Sequence, residues 1–140
     1  MVISVKNEAS GRVKERHVER LAAVAADKEI VILVNGHSAS ASEMFTGALK
    51  DNGRATVVGE RTFGKGIGQS VIPMPNGTSL HITSLRYFTP SGKWLGDGGN
   101  SSESYGIEPD HQVKLVETPK TRLGSPNDNQ LSFALELIAK

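Results

Sequence analysis

Cysteine is absent from the 140 residues. That excludes disulfides, cysteine nucleophiles and thiolate metal sites, while leaving the compartment open. No long apolar run is present either: runs such as Ile30 to Val34 are far too short to span a bilayer. Neither sign of charge dominates. The 16 Lys and Arg against 15 Asp and Glu leave a net charge of +1, so nothing in the charge points to nucleic acid or an anionic membrane surface. No internal repeat is visible. The opening "MVISVKNEAS" lacks the charged start and apolar core of a secretory leader. Its immediate strand-like "VISV" leads us to expect a piece of a longer chain.

What is present reads as one ordinary domain, with 37% apolar and 22% charged residues. "EIVILV" (29–34) is a continuous β-branched run, as expected of a strand buried on both faces. "SEMFTGALK" (42–50) places Met44, Phe45, Ala48 and Leu49 at helical spacing, and Asn52-Gly53 stops that helix. "ATVVG" (55–59) is the next strand. "QSVIP" and "TSLHITSLRYF" flank "MPNG", a hairpin with Asn76-Gly77 at its turn. Residues 90–109 form a long surface loop rich in Gly, Ser and Pro. "DHQVKLV" (110–116) is a late strand and 117–127 is linker-like. "NQLSFALELIAK" is an amphipathic helix with Leu131, Ala134, Leu135 and Ile138 on its apolar face. Residues 11–26 fit either a helix or a hairpin around Ala9 to Gly11.

Strand, helix and strand within about thirty residues predict an α/β unit with parallel pairing. In such sheets, chemistry collects at the carboxyl ends of strands. Ser38, Ser40 and Ser42 all lie in or beside the connection that leaves one such end and enters a helix. Ser40-Ala41-Ser42-Glu43 matches a capping box, and Ser38 could equally be the cap. Local pattern alone therefore favours a structural serine. Yet a serine at a helix N-terminus also has unpaired N–H groups beside it that could stabilise an oxyanion. Twenty-five residues after Ser40 stands Lys65, between Gly64 and Gly66. A loop lysine is usually solvated. If neutral, it can instead take a serine proton and return it to a leaving amine, and burial or a helix N-terminus favours the neutral form. The flanking glycines allow close backbone approach and unusual dihedrals. "GERTFGKG" is not a phosphate loop, since Ile67 stands where Ser or Thr should follow.

Taken together, "LVNGHSASASEMFTGALKDNGRATVVGERTFGKGIGQ", "YFTPSGK", "GIEPD" and "DNQLSFALELI" resemble the carboxyl-terminal processing, or tail-specific, protease family from residue 29 onward. That family carries "VN-x-x-S/T-ASASE" followed by "TFGKG-x-x-Q". The resemblance implies a crotonase/ClpP-like α/β core of mixed sheet and helices, and a serine–lysine endopeptidase without metal or cofactor. Its substrates are protein chains cut near their C-termini or when unfolded. It implies Ser40 as nucleophile, Lys65 as general base, Gln69 as the group orienting the lysine, and the Ala41 amide as one oxyanion donor. It also favours the hairpin reading of the first residues. It further implies a setting in the bacterial envelope or periplasm, or in the thylakoid lumen.

Departures from the family pattern shape the remaining expectations. Family members add a PDZ domain, and an upstream "N-P-G-G" segment supplies a second oxyanion donor. Neither is in residues 1–28, so residues 1–140 are expected to be the C-terminal part of a catalytic domain, incomplete on its N-terminal side. Contact with that upstream segment, or self-association, follows as an expectation. A noncatalytic peptide-binding or assembly module of the same fold is the alternative. A crotonase-type acyl-CoA enzyme is a weaker third reading, because nothing specifically supports a CoA site. His37 is taken as a loop residue, His81 as a strand residue and Trp94 as an exposed or half-packed loop aromatic. His17 and His111 offer no metal-ligand spacing.

Overall fold

The computed structural model describes residues 1–17, 27–98 and 105–139. Two sheets and two helices make up these residues. β1 (Ile3–Asn7), β2 (Val13–Arg16), β5 (Ile67–Pro73) and β6 (Ser79–Phe88) form an antiparallel sheet in the order β2-β1-β6-β5. β3 (Val31–Val34), β4 (Thr56–Gly59) and β7 (His111–Gln112) form a parallel sheet in the order β3-β4-β7. The helix α1 (Ala41–Asp51) makes the crossover from β3 to β4. α2 (Asn129–Ile138) packs against β3 and β4.

The predicted α/β unit is therefore present: β3, α1 and a parallel β4 in that order. Val57 and Val58 are fully buried at the centre of the sheet, where a fully covered strand should be. β3 is not buried on both faces as expected; Leu33 is 38% exposed. β3 lies at the end of its sheet and lacks a second neighbour among the described residues. The late strand shrinks to His111–Gln112.

Both helices lie where the sequence pattern puts them, and Ala48 and Ala134 are buried as that pattern expects, but the rest of each inward face differs from it. On α1 the buried residues are Glu43, Thr46, Gly47 and Ala48, while Phe45 is 60% exposed. Gly47 explains the close packing: a Cβ there would lie 2.9 Å from Thr89 Cγ2 and 3.2 Å from Ile107 Cδ1. On α2, Gln130 and Ala134 are buried while Leu135 and Ile138 are exposed. Gln130 is drawn in by a specific bond, its Nε2 donating to Val113 O at 2.7 Å.

The first residues adopt the hairpin, with β1 and β2 antiparallel and Gly11 at φ 65° in the turn. The competing helix falls largely on residues outside those described. The loop after β6 is more than surface: Leu95 and Ile107 belong to the core. Trp94 is half-buried, donates from Nε1 to Gly66 O at 3.1 Å and carries the Arg86 guanidinium over its ring. The segment before α2 runs through turns and ends on Asp128, whose carboxylate caps the helix by accepting from Gln130 N and Leu131 N.

Candidate active site

Ser40 sits between β3 and α1, at the carboxyl end of a parallel strand. It is the N-cap of α1, with φ 55° and ψ −114°. No other non-glycine described residue has a positive φ. Such a conformation costs about 1–3 kcal/mol in an L-residue and persists only where its surroundings impose it. A sharp strand-to-helix turn of this kind lifts a side chain clear of the sheet. Ser38 is not the cap: its hydroxyl accepts from Asn35 N at 3.1 Å and braces the turn that leaves β3. The amide of Ala41 opens the helix, where backbone donors have no intrahelical acceptor.

Lys65 lies on the other side of this turn, and one buried carboxylate joins the two. Glu43 is 0% exposed. Its Oε2 accepts from Ser40 N at 2.8 Å and from Lys65 N at 2.8 Å. Its Oε1 accepts from Thr62 Oγ1 at 2.5 Å and from Gly64 N at 2.6 Å. All four partners donate, so the carboxylate is filled as an acceptor on both oxygens. A further link runs from Phe63 N to Ser38 O at 3.0 Å. The backbones of the Ser40 turn and the Lys65 loop are thus fixed to one another through the first turn of α1.

The lysine loop is held from behind as well. Gly66 N donates to Gly96 O and Gly98 N to Gly64 O, each at 2.7 Å. The glycines on either side of Lys65 permit this. Gly64 takes φ 88°, and a Cβ there would meet Tyr105 at 2.6 Å; one on Gly66 would meet Leu95 at 2.6 Å. The close approach expected at both glycines is found, whereas the unusual dihedral belongs to Gly64 alone.

The structure brings the candidate backbones together but does not close the side-chain pair. Lys65 and Gln69 are exposed, and among the described residues no hydrogen bond joins Lys65 Nζ to Ser40 Oγ or to Gln69. Gln69 lies on β5, opposite Thr83. His37 is an exposed loop residue, as expected, but lines a cleft with Ala39, Phe63, Lys65, Ile67 and Asp97. His81 is an exposed strand residue that bonds Ser79. Sequence reasoning missed the scope of Glu43. The capping-box pattern accounts for its bond to Ser40 N, but nothing local reveals the three bonds it makes across the chain.

Comparison with known proteins gives one consistent result. The family model described as "Peptidase family S41" matches residues 1–113. A carboxyl-terminal-processing protease of Picosynechococcus is 40% identical over 114 residues, 81% of this chain and 26% of that protein. A carboxy-terminal-processing protease of Bartonella bacilliformis is 44% identical over 88 residues, 63% of this chain and 19% of that protein. The solved photosystem II D1 C-terminal processing protease superposes with a TM-score of 0.68 at 33% identity, covering 81% of this chain and 27% of that one. The chain thus spans about a fifth to a quarter of the length of these relatives.

Proposed function

The chain belongs to peptidase family S41, and from that premise we propose that it forms the nucleophile-and-base part of a serine endopeptidase acting on protein chains. Ser40 Oγ attacks the scissile carbonyl as Lys65 Nζ takes its proton, and the C–O bond forms. The C–N bond then breaks as that proton passes to the leaving amine. Water then attacks the acyl-enzyme as Lys65 Nζ takes its proton, the ester C–O bond to Ser40 breaks, and Lys65 returns the proton to Ser40 Oγ. The Ala41 amide stabilises the oxyanion, and Gln69 orients the lysine. The observation that carries this reading is the Glu43 carboxylate, which holds the Ser40 and Lys65 backbones to one anchor. The positive φ of Ser40 supports it further, because a cap alone has no need of strain.

The exposure of Lys65 favours a second element of the proposal: the pair closes only when further protein or substrate covers it. Apolar surface at Leu33 and Phe45, beside Ala41, supports contact with an upstream segment of the catalytic unit. We extend the reading to C-terminal processing or degradation of unfolded chains, in the bacterial envelope or thylakoid lumen. The test is cleavage of β-casein by this chain and by a longer form carrying the upstream segment, each with Ser40→Ala and Lys65→Ala controls. Cleavage by the longer form that is lost in both variants is expected. Cleavage that survives either substitution refutes the assignment.

A further inference from the structure

β5 begins two residues after Lys65 and forms one end of its sheet. Its inner side pairs with β6; among the described residues no strand pairs with its outer side. The phase of that ladder can be read from its ends. At the turn, Met74 N donates to Thr78 O at 2.9 Å, and at the other end Tyr87 N donates to Gly66 O at 2.8 Å. In an antiparallel ladder the hydrogen-bonded pairs alternate. Ile72 and Ser70 therefore direct their backbone groups inward to Leu80 and Ile82, while Val71 and Gln69 direct theirs outward. Counting from Gly66 makes Ile67 outward as well. The register shift between Gly68 and Gln69 leaves this alternation intact, because Gly68 pairs with Leu85 and Gln69 with Thr83, so the extra residue is on β6. Pro73 falls in the same outward series, where the missing N–H breaks no ladder bond.

Ile67, Gln69 and Val71 thus present N–H and C=O groups at every second residue along an open edge that leads away from the candidate base. At its start Ile67 also lines a cleft of about 440 Å³ with Ala39 and Phe63, and Lys65 opens onto the same cleft. Phe63 is 43% exposed although the residues on either side of it are buried. An extended peptide is the ligand that matches both features. Backbone pairing on an edge gives affinity, and a pocket for a side chain gives selectivity.

We propose that the outer edge of β5 receives the polypeptide substrate as an added strand, with a side chain next to the scissile bond entering the cleft against its apolar wall of Ala39, Phe63 and Ile67. The inference rests on the peptidase reading for its choice of ligand, and its test separates the two by measuring binding without turnover. The protein carrying Ser40→Ala is titrated with β-casein, and amide exchange is followed at Ile67, Gln69 and Val71. These three amides should slow on binding, while Ser70 and Ile72, already bonded to β6, should change little. Adding Val71→Pro removes an outward donor and leaves the β5–β6 ladder intact, so it should weaken casein binding at least tenfold. Val71→Ala should not. An unchanged circular dichroism spectrum shows that Val71→Pro has kept the fold. Casein bound without slowing at these three amides, unaltered binding by Val71→Pro, or no binding at all overturns the inference. Binding that follows the prediction, with no Ser40-dependent cleavage by the longer form carrying the upstream segment, overturns the peptidase reading and leaves the strand site standing.

Discussion

Replacing Glu43 offers the sharpest test of how the site is built. Its carboxylate serves four donors: the N–H groups of Ser40, Gly64 and Lys65 and the hydroxyl of Thr62. Glu43→Gln keeps the shape but turns one oxygen into an NH₂ group. With the amide nitrogen toward Ser40 and Lys65, two N–H groups face a donor; turned the other way, the Gly64 N–H does so and the Thr62 hydroxyl loses its acceptor. A buried donor without a partner costs about 1–3 kcal/mol, and relaxation of the loop recovers part of that. We expect Glu43→Gln to lose about 2–4 kcal/mol on that scale, and Glu43→Ala, which strands all four, to lose more. Against a typical total of about 5–15 kcal/mol, the glutamine variant should still fold. Its turnover should fall further than its stability implies. The Ser40 turn and Lys65 loop lose their common anchor, and a misplacement of about 1 Å can cost roughly a hundredfold in rate. Urea unfolding gives the first quantity and casein cleavage by the folded variant the second. A Glu43→Gln protein within about 0.5 kcal/mol of wild type, cleaving at the wild-type rate, would refute the reasoning.

Ser40→Ala and Ser40→Gly should both abolish turnover, but the glycine variant should be the more stable by about 1 kcal/mol, because only glycine accepts φ 55° without strain; thermal unfolding compares them. Lys65→Arg should be inactive despite keeping the charge, since arginine does not deprotonate in proteins, and casein cleavage checks it. Ser38→Ala should cost stability without removing activity, because its hydroxyl accepts from Asn35 N and holds a turn; unfolding and cleavage are measured side by side. Asp128 has its carboxyl held below the usual carboxylate range, first by the Gly124 amide and then by that of Leu131, with Gln130 adding a smaller share against the opposing effect of burial. A depressed folded value stabilises above the unfolded value of about 3.9 and is lost as pH falls through the folded one. Asp128→Ala should therefore cost about 1–2 kcal/mol at neutral pH, with the gap to wild type closing below about pH 4; urea unfolding across pH reads it.

The elements were largely legible because their signals are local. A β-branched run, an Asn-Gly stop and an Asn-Gly hairpin turn each act within a few residues, and β3, α1, β4 and the β5–β6 hairpin all appear where those signals stand. Which way each helix faces was legible only in part, at Ala48 and Ala134, because the rest depends on what lies opposite. Periodicity put Phe45 inside α1's apolar stripe, yet the helix turns Glu43, Thr46 and Gly47 inward. The carboxylate has four donors waiting for it, and Gly47 lets Thr89 and Ile107 come close. On α2 the Gln130–Val113 bond exerts the same pull on a polar residue. Burial followed the partners available, and hydrophobicity alone ranked the residues wrongly.

The same distinction separates the parts of the site. Ser40 and Lys65 emerged as candidates through the family resemblance of two short stretches, whereas local pattern alone favoured a helix cap and a solvated lysine. The link between them was not legible, since Glu43 reaches Thr62, Gly64 and Lys65 some twenty residues away. A capping box explains one of its four bonds, and the three others require the β3–α1–β4 crossover to bring the loop after β4 back onto the start of α1. The strain at Ser40 follows from that closure. A residue at φ 55° is held there only if something on each side resists its relaxation. Here the Asn35–Ser38 turn stands on one side, and the Glu43 bond to Ser40 N secures the other. The side chains of Lys65 and Gln69 have no comparable brace. Both project from a loop and an open strand edge whose outward backbone groups are unpaired within the described residues. The backbone frame is thus set by contacts within this chain, and under the proposed function completing the Ser40–Lys65 pair falls to whatever covers that edge.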